Sequence, residues 1–270
     1  MTYATPYGGL PPQSQLLTGR ARFTDAYAVI PRGVQTAIVT SFLPGWEGMR
    51  LWWLARPLTG FAETFAWALV ELTPGGGSDR PEADGTAEAA LFVTEGALEL
   101  TVDGAARTAR AGCQAYLPAG ARWTARAPAG ARFHWVRRRF QPAEGLDRPE
   151  PFVAHEGDVA PIPMEGAPGW TTRRWVDPAD LRHDFHLNLV TFEPGSTIPF
   201  LETHVMEHGL YVLEGKAAYV LNDDWVEVEA GDFVWMRAFC PQACYAGGPG
   251  PFRYLLYKDV NRMPGFLPAG

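Results

Sequence analysis

The chain repeats itself, and the repeat constrains its fold more than any single motif. Val93-Thr-Glu-Gly96 corresponds to Val212-Leu-Glu-Gly215, and Ala111-Gly112 to Ala230-Gly231, both at an offset of 119 residues. Upstream, Phe65-Ala-Trp-Ala-Leu-Val with Pro74-Gly75 corresponds to Phe185-His-Leu-Asn-Leu-Val with Pro194-Gly195 at an offset of 120. A period of this length with turn residues in matching places marks a duplicated domain. Within each copy the stretches are short, apolar or alternating, and closed by turns. Leu210 to Leu213 ends at Glu214-Gly215, and Trp225-Val-Glu-Val-Glu ends at Ala230-Gly231-Asp232. Such stretches are antiparallel strands. At 270 residues and 47% hydrophobic content, the chain can bury two barrel cores. The expected fold is all-β, with two tandem antiparallel jelly-roll barrels over residues 25–140 and 181–270. Residues 1–24 read as a loose arm, and 141–180, rich in Pro, Gly and acidic residues, as a linker.

Composition narrows the function. Three cysteines, an odd number, argue against a disulfide framework and suit a reducing compartment. With no secretory pattern at the start and no apolar stretch long enough to span a bilayer, a cytoplasmic protein without membrane partners is expected. The formal charge is −7, and Arg137-Arg-Arg139, read as a solvated strand end, is the compact basic run, so nucleic acid is not an expected partner. The tryptophans, Trp52-Trp53 among them, are scattered through apolar strands and read as core or interface packing, with the tryptophan-rich first half a candidate interface of a homo-oligomer.

The chemistry-bearing residues lie in the second copy. Glu202, His204 and His208 follow the spacing Glu-x-His-x3-His, and side chains of equal parity on an extended chain share a face. Gln242, after the turn at Gly231, returns to the same end of the barrel and offers an amide oxygen. Two imidazoles, a carboxylate and an amide suit manganese or iron(II) better than a structural zinc. Cys240 or Cys244 as a thiolate ligand is the less favoured alternative, since buried cysteine commonly packs as a small hydrophobe. Carried back through the repeat, the four donor positions fall on Ala83, Gly85, Ala89 and Trp123, none of which binds metal, so the first barrel is a copy without ligands. In the last strand, Phe252-Arg-Tyr-Leu-Leu-Tyr-Lys258, the even positions share one face. If that face points inward, Tyr254 and Lys258 enter the cavity and Lys258 calls for an anionic partner. Parity alone leaves open whether Lys258 instead pairs with Asp259 at an exposed end. His134, His155, His183 and His186 read as ordinary core or surface histidines.

The second copy resembles the cupin double motif, with departures: Glu202 stands for the first histidine, His208 near the acidic position, Gln242 for the last histidine, and Arg237 and Phe239 for the Pro and Gly of the second motif. Ligand geometry alone permits a metal-dependent dioxygenase, an isomerase or a non-catalytic binding protein. A narrower resemblance is carried by Glu202-Thr-His204-Val-Met-Glu-His208-Gly-Leu-Tyr-Val-Leu-Glu-Gly, Arg237-Ala-Phe-Cys-Pro-Gln242 and Tyr254-Leu-Leu-Tyr-Lys258-Asp-Val-Asn-Arg. Pro31-Arg-Gly-Val-Gln35 and Gly75-Gly-Gly-Ser-Asp-Arg-Pro-Glu82 extend it into the first half. Over residues 25–265 the chain is similar to the (S)-ureidoglycine aminohydrolase family of bicupins. That resemblance implies a hydrolase acting on a C–N bond, releasing ammonia from (S)-ureidoglycine to give (S)-ureidoglycolate in allantoin and purine catabolism. It implies Mn2+ held by Glu202, His204, His208 and Gln242. By the same resemblance Glu202, Gln242, Tyr254 and Lys258 contact the substrate, with Glu202 and Lys258 catalytic.

Overall fold

The computed structural model describes residues 2–3, 19–35, 39–260 and 262; most of the expected N-terminal arm, residues 4–18, lies outside these. The alternating stretches form the expected antiparallel strands, and the two halves repeat one another element by element. Ala66–Ser78 of the first half answers Phe185–Phe192 of the second, Cys113–Leu117 answers Phe233–Met236, and Ala131–Arg139 answers Phe252–Asp259. The repeated turn glycines are required by geometry. Gly96 and Gly215 adopt φ of 71° and 77°, and a Cβ on either would lie 2.2 Å from a backbone carbonyl oxygen, that of Gly130 or Pro251.

Alternation sorts side chains into three cores. Leu91, Val93, Leu100, Phe133 and Trp135 fill the first barrel, and Val190, Phe192, Leu210, Val212 and Tyr254 fill the second. The opposite faces of the same strands, including Phe65, Trp67, Phe92, Phe233, Trp235 and Tyr257, pack the halves together. Trp67, Trp123 and Trp135 are buried, and Trp67 meets Phe233 edge-on at 5.5 Å. These tryptophans of the first half therefore pack inside the molecule, the core placement that was one of the two expected for them. Gly209 marks this close packing, since a Cβ there would stand 2.7 Å from the Phe65 ring.

Strand pairing departs from the expected boundaries. Tyr27–Ile30, expected in the first barrel, pairs with Phe233–Met236 and extends the sheet of the second, with Arg22–Phe23 beyond it. The expected linker contains Phe152–His155, which pairs with Cys113–Leu117 of the first half, and Trp170–Arg173, which pairs with Phe185–Phe192 of the second. Open sheet edges carry unmet backbone donors and acceptors, and these flanking segments cover them. Arg20, on the described end of the arm, forms ion pairs with Glu229 at 2.8 Å and with Asp232.

Within the basic run Arg137-Arg-Arg139, Arg139 is exposed at the strand end as expected, but Arg137 and Arg138 are not. Arg137 is forked onto Glu82 through hydrogen bonds of 2.6 and 2.7 Å. Arg138 is buried between the halves, 3.5 Å from the Asp184 carboxylate, and donates to the Asp184 carbonyl and the Tyr257 hydroxyl. The adjoining Glu88 carboxyl, buried and accepting from Tyr116 at 2.6 Å, is held far above its ordinary pKa first by that burial.

Candidate metal and substrate site

The fold brings His204, His208 and Gln242 together in the second half, and joins Glu202 to Gln242 through the backbone. Glu202 and Gln242 exchange backbone hydrogen bonds of 3.0 Å in each direction, a two-residue bridge that fixes both at the rim. His204 lies on the loop that follows, its carbonyl accepting from the Phe239 amide at 2.8 Å, and His208 opens the strand His208–Glu214. The two imidazole rings are 4.4 Å apart between centroids, and the Gln242 side-chain amide lies 3.2 Å from His204 Nε2. Among the described residues, no three His, Cys, Asp or Glu side chains converge closely enough to hold an ion.

Electrostatics favour ligation by the histidines. Burial lowers the pKa of both, that of His208 far below its ordinary value, with the charge of Lys258 adding to the effect. Both rings are thus held neutral, the form that offers a lone pair to a metal. His204 Nδ1 is buried without a hydrogen-bond partner. The donor set, two nitrogens with an amide oxygen and a nearby carboxylate, fits a divalent ion of intermediate hardness. Burial raises the pKa of Glu202, opposed by Lys258. The thiol alternative is disfavoured, because burial pushes Cys244 up to about 12 and raises Cys240 as well.

The last strand sends its even face inward. Tyr254 lies in the interior core, whereas Leu255 and Tyr257 face the first half. Lys258 pairs in register with His208 on one side and His186 on the other, so the three side chains share the interior face. Lys258 thus enters the mouth, where burial lowers its pKa and Glu202 counteracts the shift. Tyr254 sits deeper, 3% exposed, across from Val212 and Val190. The corresponding row in the first half is Ala89, Arg137 and Ala66, where two alanines replace the histidines and Arg137 is tied to Glu82.

One residue with a site role was not apparent in sequence. Glu207, between the two histidines and 6% exposed, accepts at one oxygen from Trp235 Nε1 at 2.6 Å and from the Glu63 amide at 2.7 Å. At the other it accepts from the Thr64 amide at 2.8 Å and from the Thr64 hydroxyl. Its own amide donates to Asp259 at 2.6 Å. The ligand loop is thereby moored to the first barrel. The available signal was an acidic residue of parity opposite to His204 and His208, which directs it away from the cavity and toward the neighbouring half.

Comparison with known proteins agrees with this architecture. The cupin domain model matches residues 68–137 and 188–257. The chain is 34% identical over 228 residues to the (S)-ureidoglycine aminohydrolase of Arabidopsis thaliana, spanning 84% of this chain and 74% of that one. It is 31% identical over 229 residues to the (S)-ureidoglycine aminohydrolase of Escherichia coli strain K12, spanning 83% and 86%. The chain belongs to the (S)-ureidoglycine aminohydrolase family. A solved structure of a Pseudomonas aeruginosa protein described as glyoxylate induced shares the fold of this family member, with a TM-score of 0.89 and 57% identity over 99% of both chains. As in the family resemblance drawn from sequence, the fold is a bicupin. No helix among the described residues is long and apolar enough to cross a membrane.

Proposed function

We infer that this chain is a metal-dependent hydrolase that releases ammonia from (S)-ureidoglycine to give (S)-ureidoglycolate. One observation carries the inference: in a member of this family, His204, His208 and Gln242 gather at a barrel mouth that Lys258 enters, with Glu202 bridged to Gln242. Glu202, His204, His208 and Gln242 would hold manganese. When bound, the ion would supply a Lewis acid for nitrogen and oxygen donors of a substrate whose central carbon bears an amine, a ureido nitrogen and a carboxylate, and so would fix its hand.

The remaining steps belong to the side chains. Lys258 pairs with an anionic oxygen of the substrate, and the Tyr254 hydroxyl hydrogen-bonds its ureido end. The carbon–nitrogen bond to the amine breaks and a carbon–oxygen bond to water forms. Glu202 carries the proton from water to the departing ammonia. The same reading carries a cytoplasmic location and self-association into a homo-oligomer, which light scattering of the purified protein checks.

The test is ammonia release from freshly generated ureidoglycine by metal-stripped protein with manganese added back, following the configuration of the product. Manganese-dependent formation of (S)-ureidoglycolate is expected. A rate no higher than the uncatalysed one overturns the proposal, and consumption of oxygen would point instead to a cupin dioxygenase.

A further inference from the structure

His186 occupies a place in the site that its role in the fold does not explain. It lies on the same interior row as His208 and Lys258, one strand beyond Lys258. Adjacent strands are ~4.8 Å apart, so the backbones of His186 and His208 are separated by ~10 Å, a gap that their side chains narrow to the size of a small molecule. His186 is 3% exposed, and neither ring nitrogen has a hydrogen-bond partner. Buried polar groups are nearly always paired, and leaving one unmet is destabilising. The contrast within this protein is direct: His134, equally buried, accepts from Trp67 Nε1 at 3.0 Å.

The imidazole lines a cavity of about 180 Å3 together with Lys258, Met206, His183 and two acids, Asp180 and Asp259. The His183 Nδ1 atom in its wall is also buried without a partner. Burial first, and then the charge of Lys258, push the His186 pKa down to about 4, with His183 and Arg174 acting in the same direction and Asp177 against it. The ring is therefore a neutral donor. Lys258 forms no ion pair among the described residues, and the groups that act on its charge are Arg174, Glu202 and Asp259. The two acids in the wall are already engaged, Asp180 by the Arg182 guanidinium at 2.6 Å and Asp259 by the Glu207 amide at 2.6 Å, so a neutral N–H and an ammonium group in the added field of Arg174 are left to match a carboxylate. The first half has no such arrangement, since the matching positions are Ala66 and a guanidinium already forked onto Glu82.

We propose that His186 is a substrate-contact residue that, with Lys258, receives the carboxylate of the bound substrate and leaves Tyr254 to the ureido end. The assignment rests on the reading that the substrate is (S)-ureidoglycine. The test compares binding of (S)-ureidoglycolate with that of N-methylurea, which lacks the carboxylate, to manganese-loaded protein by calorimetry. His186→Leu should weaken ureidoglycolate at least tenfold while leaving N-methylurea affinity and manganese stoichiometry unchanged. His186→Asn, which retains a donor, should stay within threefold of wild type. His186→Phe carries the same expectation as leucine, so a folding failure of one leaves the other decisive. Unchanged ureidoglycolate binding, or an equal loss of N-methylurea, overturns the assignment. If wild type fails to turn over ureidoglycine, the activity reading falls by itself. Glycolate then serves as the carboxylate probe: tenfold weaker binding in the leucine variant supports the subsite, and unchanged binding refutes it.

Discussion

Replacing Glu207 with alanine removes the carboxylate that moors the loop between His204 and His208 to the first half of the chain. The magnitude follows from its partners. Trp235 Nε1 and the amides of Glu63 and Thr64 all donate to it, at 2.6, 2.7 and 2.8 Å. A buried donor left unmet costs ~1–3 kcal/mol, so three of them set an upper range of ~3–9 kcal/mol. Water entering the space of the lost side chain offsets part of this, and a net loss of about 3–5 kcal/mol is expected, a large fraction of the ~5–15 kcal/mol that stabilises a typical protein. Glu207→Gln keeps the volume and one acceptor but turns its amide hydrogens toward donors, for a loss of about half as much. The assay is urea unfolding followed by tryptophan fluorescence, paired with manganese titration of the folded variant. Because the loop carries both histidines, manganese affinity should fall at least tenfold in Glu207→Ala. Stability within 1 kcal/mol of wild type together with unchanged manganese affinity would refute the mooring role.

Two further outcomes are expected. Glu202→Gln should lower turnover by ~10²–10⁴-fold, the usual worth of positioned proton transfer, while His204, His208 and Gln242 retain manganese; a loss below tenfold removes Glu202 as the proton carrier. His134, fully buried, has its pKa pushed down to about 3 by burial first, so its contribution to stability is complete above its unfolded value of about 6.5 and is lost as pH falls from there toward 3. Between pH 8 and pH 5 it should cost wild type about 2 kcal/mol more than His134→Gln, and parallel stability curves from denaturant titrations would exclude it as the cause.

What the sequence determined by itself is local or periodic. Side chains alternate along an extended chain and left-handed turns favour glycine, so the strands, the paired turns at Gly96 and Gly215, and the shared face of Tyr254 and Lys258 could be read from spacing, whereas parity left open whether that face points inward. The duplication then supplied an internal control, showing that the ligand positions of the second copy fall on Ala83, Gly85, Ala89 and Trp123 in the first. The donor set became specific through extended resemblance to a family, since spacing by itself left several metal chemistries open.

Tertiary structure decided everything that depends on which surfaces meet. Tyr27–Ile30 is about 200 residues from its partner strand Phe233–Met236, and nothing in its own pattern specifies which open edge it covers. Arg138 looked like one of three exposed arginines and is buried because Asp184 and Tyr257 of the other half come to it. Glu207 and His186 were unremarkable as a loop acid and a core histidine. One became a mooring and the other an unpartnered group beside Lys258 only when strands distant in sequence were placed side by side. Burying a polar side chain is costly or useful according to its neighbours, and those neighbours are set by long-range pairing that local sequence does not encode.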